Sequence, residues 1–125
     1  MTLDVAEFHE AVYSIVRQIP QGKVTTYGHV AKLIDMPSYS RHVGQALKYL
    51  SPEADPPVPW QRVVSSVGKI SSRGPGTDGA QRQREALEAE NVQVHVGRAF
   101  NEFLVDLRAY GWFPAPGTIT FGAPQ

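Results

Sequence analysis

Few side chains in this sequence could carry covalent or metal chemistry. There is no cysteine among the 125 residues, which removes a thiolate nucleophile, a disulfide framework and a cysteine-ligated metal together. The four histidines, His9, His29, His42 and His95, are scattered without metal-ligand spacing, so neither a metal nor any other cofactor is expected. No carboxylate–lysine constellation points to a lyase. What remains is the chemistry of recognition. Tyr27 and Arg41 each open an apolar-patterned stretch, Trp60 and Arg62 lie in Val58-Pro59-Trp60-Gln61-Arg62-Val63-Val64, and Arg73 lies in a glycine-rich loop. A guanidinium stacks on flat rings and forms paired hydrogen bonds to them, a phenol can bond a phosphate oxygen, and an indole offers a large apolar face.

Formal net charge is zero, but the charges are not evenly spread. Between Arg17 and Arg73 stand eight basic residues against three acidic ones. A basic middle with acidic flanks can present a local phosphate-binding face. The same excess also fits chance fluctuation.

These residues need elements to hold them. The apolar spacing of Val5, Phe8, Val12, Ile15, Val16 and Ile19 predicts an amphipathic helix over 4–19, with Asp4 and Glu7 as a capping box and Pro20-Gln21-Gly22 as its stop. Thr25 or Thr26 is placed to cap a second helix, 27–34, and Ser40 a third, 41–50. Helix, short turn around Pro37, helix is the pattern of a helix-turn-helix, though any helical hairpin shares it. A proline-rich loop follows at 51–59, then a hairpin-like loop at 65–72, a polar helix from Thr77 or Asp78 to about Glu90, and a short strand at Val92, Val94 and Val96. The expectation is one mainly α domain with a small β element, winged-helix-like, spanning 1–113. Residues 114–125 are expected to form a loosely held tail. No secretory leader is read at the N-terminus, and no stretch approaches the ~20 apolar residues that span a bilayer.

Three segments in this order resemble the O6-alkylguanine-DNA alkyltransferases. Ile19-Pro20-Gln21-Gly22-Lys23-Val24, running on to Tyr27, is similar to one family motif. Arg41, Val43, Gly44 and Ala46 match its recognition helix, and Pro59, Arg62 and Val63 match its active-site segment. Trp60 stands where that family has its cysteine, and Gln61 where it has histidine. Chains with tryptophan there form the alkyltransferase-like group, which this sequence also resembles at Met36-Pro37-Ser38-Tyr39, at 68–71, at 79–83 and at Tyr110-x-Trp112. The resemblance implies a non-enzymatic sensor of O6-alkylguanine in double-stranded DNA. It would approach through the minor groove, flip the damaged base and flag it for nucleotide excision repair proteins. Tyr27, Arg41, Gly44, Gln45 and Ala46 would contact DNA and drive flipping. Tyr27, Pro59, Trp60, Val67, Ser71 and Arg73 would form the lesion pocket, and Arg62 would hold the pocket loop.

The residue chemistry agrees on one point. Alkyl transfer needs a strong nucleophile, and neither an indole nor a glutamine amide can replace a thiolate and its base. On its residues alone, Trp60 could equally be a core aromatic. The competing function is a helix-turn-helix regulator reading sequence in the major groove, with Arg41 and Gln45 as its candidate readers. A monomer acting in the nucleus of a eukaryote or the cytoplasm of a bacterium is expected.

Overall fold

The computed structural model describes residues 4–51, 53–70, 79–99 and 102–120. Helix α1 (Val5–Arg17) begins at the expected capping box, with the Glu7 N–H donating to Asp4 at 2.7 Å and the Asp4 N–H to Glu7 at 3.1 Å. Its Phe8, Ala11, Val12, Ile15 and Val16 are buried, at about 1.5–3 kcal/mol for each of the larger side chains. Val5, expected on the same inward stripe, is 72% exposed. It sits in the first turn, ahead of the buried stripe that begins at Phe8.

A two-residue strand, β1 (Thr25–Thr26), leads directly into α2 (Tyr27–Leu33). Thr26 is the cap, accepting from the His29 N–H at 3.1 Å. Thr25 is buried, and its hydroxyl has no hydrogen-bond partner among the described residues. α2 ends in a Schellman turn: the Met36 N–H donates to Ala31 at 2.9 Å, the Asp35 N–H to Lys32 at 3.0 Å, and Asp35 takes φ 68°. A 3-10 turn, Pro37–Tyr39, then runs straight into α3 (Ser40–Lys48). Ser40 is therefore not the cap that was expected. The 3-10 turn has already wound the backbone, so Ser40 is the first helical residue, and Tyr39 precedes it without a side-chain cap. α2 and α3 pack against each other and α1, with Val30, Ala31, Val43, Ala46 and Leu47 between them. The Tyr13 hydroxyl donates to the Ala46 carbonyl at 2.6 Å and ties α1 to α3.

The loop after α3 is anchored by Arg17, whose Nη2 and Nε donate to the Pro56 carbonyl at 3.0 and 3.2 Å. A second 3-10 turn, Trp60–Arg62, enters β2 (Val63–Val64), which pairs in parallel with β1. β3 (Lys69–Ile70), β4 (Val94–Val96) and β5 (Phe103–Val105) form an antiparallel sheet with β5 central. Gly68 makes the β2–β3 turn possible. It has φ +82°, and a Cβ there would collide with the Val105 carbonyl. α4 (Gly79–Ala89) lies between the 3-10 turn of Trp60 and the sheet, and α5 (Leu107–Tyr110) follows β5. The expected start of α4 at Thr77 or Asp78 lies outside the described residues. Val92 belongs to the turn that ends α4 rather than to β4.

Two apolar clusters result, one among α1–α3 and one between the sheet and α4. The 60–64 segment joins them, for Val63 belongs to the first and Val64 to the second. The domain is thus mainly α with a small sheet, a helix-turn-helix backed by a β wing.

Thr25 gives a direct test of these energetics. A buried hydroxyl without a partner costs about 1–3 kcal/mol in lost hydration. Thr25→Val is expected to raise the unfolding free energy by about 1 kcal/mol, measured by urea denaturation; a fall of similar size would show that the hydroxyl is satisfied in solution.

Candidate nucleic-acid interface

Helix geometry brings the recognition residues together. Thr26 caps α2, so Tyr27 occupies its first position. On α3, Arg41, Gly44, Gln45 and Lys48 fall at steps of three and four and share one face. Tyr27, Ser40 and this row line an open groove of about 310 Å³. Gly44 is buried and contributes to the groove, whereas Arg41, Gln45 and Lys48 are exposed. Two cations therefore stand in the lining with no carboxylate among them. Arg41 makes no hydrogen bond or ion pair with another described residue, so its guanidinium is available to a phosphate or a base.

Ala46 does not join this face. It is wholly buried, with its side chain in the helical core. The expected DNA contact at Ala46 is corrected to a packing role, because its position on α3 points it toward α1 and α2. Lys48 completes the row. The i, i+4, i+7 spacing from Arg41 was the signal that could have singled it out.

Pro59, Trp60 and Val67 lie outside the lining of the groove. Trp60 is half-buried, packed against the helical core without being sealed inside it. Val67 is 73% exposed at the β2–β3 turn. The pocket roles expected of Ser71 and Arg73 lie outside the described residues.

The turn that carries Trp60 is braced from below. Arg62 donates through Nε and Nη2 to the Glu90 carboxylate, with distances of 2.9–3.2 Å, and through Nη1 to the Ile19 carbonyl at 2.7 Å. Glu90 also accepts from Gln61 Nε2 at 2.9 Å and from the Gly22 N–H at 3.1 Å. Gln83, 1% exposed, donates to the carbonyls of Gln61 and Val63, each at 3.0 Å. Glu90 reaches this point because α4 ends in its own Schellman turn, with Asn91 at φ 67° and the Val92 N–H on Leu87. Gly22 presents its N–H from a backbone at φ +85°, which favours glycine. Sequence reasoning missed Glu90 and Gln83, since nothing local marks a carboxylate 28 residues from its arginine.

Burial works against charge on Glu90. The hydrogen bonds from Arg62, Gly22 and Gln61, with the positive charge of Arg62, outweigh it and hold the carboxyl below its ordinary value of 4.5. Among the described residues no group of histidines and carboxylates could hold a metal ion.

The fold and groove define a DNA-binding helix-turn-helix module without a cysteine thiol. A family model described as the DNA-binding domain of 6-O-methylguanine DNA methyltransferase matches residues 7–92. The chain belongs to this family, and within it to the alkyltransferase-like proteins. It is 46% identical over 108 residues to alkyltransferase-like protein 1 of Schizosaccharomyces pombe, covering 86% of this chain and 96% of that one. It is 43% identical over 109 residues to the DNA base-flipping protein of Vibrio parahaemolyticus, covering 86% and 98%. The crystal structure of S. pombe Atl1 in complex with damaged DNA containing O6-carboxymethylguanine superposes with a TM-score of 0.80 at 45% identity, over 91% of this chain and all of that one.

The brace predicts both a cost and a pH dependence. The Arg62 and Glu90 side chains are only 16% and 10% exposed, so Arg62→Ala is expected to cost about 1.5–3 kcal/mol, the range for hydrogen bonds to a charged group, read by urea denaturation. Glu90 is more acidic folded than unfolded. Its contribution is therefore complete above the unfolded value and is lost as pH falls through the lower folded one. Melting temperature should drop more steeply below pH 4.5 in the native protein than in Glu90→Gln; parallel acid limbs would refute the linkage.

Proposed function

We propose that this protein binds duplex DNA carrying O6-alkylguanine, flips the damaged base, and performs no chemistry on it. The observation that carries this reading is the groove that sets Tyr27 beside Arg41 in a chain without a thiol. The S. pombe relative in complex with O6-carboxymethylguanine DNA and the relatives named for base flipping support it.

The physical steps follow from the side chains. A base inspected outside the stack leaves a gap, and unstacking it costs a few kcal/mol, least for a lesion that already weakens pairing. Arg41, exposed at the start of α3, enters that gap, stacks on the neighbouring bases and hydrogen-bonds the orphaned partner. Tyr27 meets the adjacent phosphate. Gly44 permits close approach in the minor groove, which carries little sequence information. Gln45 and Lys48 supply further polar and phosphate contacts. The flipped base is received on the side of Pro59, Trp60 and Val67, together with Ser71 and Arg73. The half-buried indole gives the alkyl group an apolar surface.

Holding a lesion without removing it has value only if another activity excises it. Proteins of nucleotide excision repair are the proposed recipients, in the compartment that holds the DNA: the nucleus of a eukaryote or the cytoplasm of a bacterium. The protein acts as a monomer.

At fixed salt, because phosphate contacts make affinity salt-dependent, the protein should bind an O6-methylguanine duplex more tightly than its unmodified counterpart. Equal affinity for the two would sink the proposal. Arg41→Ala should lose about 1.5–3 kcal/mol of lesion binding, an order of magnitude or more in Kd. Mass spectrometry after incubation with alkylated DNA should show an unmodified protein; an alkyl adduct, on Trp60 above all, would mean that transfer chemistry survives.

A further inference from the structure

Beyond the groove, the chain returns to the start of α2 and grips it on both sides. Ahead of Tyr27, the Val24 N–H donates to the Tyr110 carbonyl at 2.9 Å and the Trp112 N–H to the Val24 carbonyl at 2.8 Å. After Tyr27, His29 Nε2 donates to the Pro114 carbonyl at 2.7 Å. The Phe113 ring stands edge-on to the same imidazole, 5.1 Å between centroids and 87° between planes. Gly111 joins the two grips, and a Cβ there would collide with the Leu107 carbonyl and the Phe113 ring. Beyond Pro114, Ile119 packs against the helical core and the Thr120 carbonyl accepts from Gln18 Nε2 at 2.6 Å. Residues 114–120, expected to be loosely held, thus carry three separate anchors.

Tyr27 and His29 lie two positions apart in the first turn of α2, about 200° around its axis at 3.6 residues per turn. Tyr27 faces the groove, and His29 faces the returning segment. Thr26 caps the turn from within, and a seven-residue helix has little stiffness of its own. We propose that residues 110–114 form a clamp that fixes the rotation of this turn and so aims Tyr27 into the groove, with His29 as the positioning residue. The clamp holds α2 in the orientation needed for base flipping before DNA arrives, which lowers the ordering cost of binding. This inference rests on the role of Tyr27 in the function proposed above.

The test measures discrimination, the ratio of affinities for O6-methylguanine and unmodified duplexes at one salt concentration, in the full chain. His29→Ala should lower that ratio about 3- to 10-fold, within the range of couplings carried by positioning residues. His29→Gln should retain most of it, because its amide N–H can donate to the Pro114 carbonyl. Tyr27→Phe should also lower discrimination, and adding His29→Ala to it should lower it no further. Native discrimination in His29→Ala, with loss in Tyr27→Phe, overturns the clamp and leaves lesion sensing intact. Additive losses, or an equal weakening on both duplexes in His29→Ala and His29→Gln alike, reduce His29 to a stability role and also overturn it. Native discrimination in Tyr27→Phe removes the residue being aimed and the clamp with it. No discrimination by the native protein defeats the proposed function itself.

Discussion

The contact between Arg62 and Glu90 holds the halves of the domain in register. Arg62 belongs to the turn that carries Trp60, and its guanidinium spans from the Ile19 carbonyl at the end of the first helix to the carboxylate that closes α4. Glu90 also fixes Gly22, in the turn that feeds β1 and then α2. One carboxylate therefore sets the height of the Trp60 turn and the entry of the helix bearing Tyr27. A planar, forked donor suits this task. Lysine would supply the charge, but it could not hold two partners in fixed directions.

The same network bears on the missing reaction. A transfer site needs a nucleophile and a group that accepts its proton. Gln61 stands next to Trp60, yet its side-chain amide nitrogen is committed to Glu90, and Gln83 holds its backbone carbonyl. An amide cannot take up a proton near neutral pH. Placing a thiol at position 60 would therefore restore only half of the machinery. The residues that brace the turn act as scaffolding, and in the proposed function that scaffold presents the Trp60 ring to the alkyl group.

What could be read from the sequence was local. The capping box at Asp4 and Glu7, the stop after α1 and the two short helices announce themselves within a few residues. Arg41, Gly44 and Gln45 come from the family resemblance, and helical spacing from Arg41 agrees with their sharing one face. Ser40 misled because capping preference was weighed without the 3-10 turn ahead of it. Ala46 misled because a small residue suits close approach to DNA and close helix packing equally. β5 and α5 carried too little period to be seen as elements, being three and four residues long. Glu90, Gln83 and His29 act through partners 20 to 85 residues away, and single-chain patterns hold no record of such pairings.

A zero net charge looks at first like a poor match to a DNA-binding protein. It suits one that must let go of undamaged DNA. Each phosphate neutralised adds affinity for every sequence alike, so a strongly basic surface would hold the protein on the vast excess of normal duplex. This groove is lined by two cations, Arg41 and Lys48, and one of them is assigned to the space left by a flipped base. The energy that separates damaged from normal DNA then has to come from the base itself. A lesion costs less to unstack, and its alkyl group gains an apolar surface that a normal guanine cannot use. If the proposed roles of Trp60 and Tyr27 hold, discrimination rests on how firmly those two side chains are held before DNA arrives, and the braces behind them matter more to it than further positive charge would.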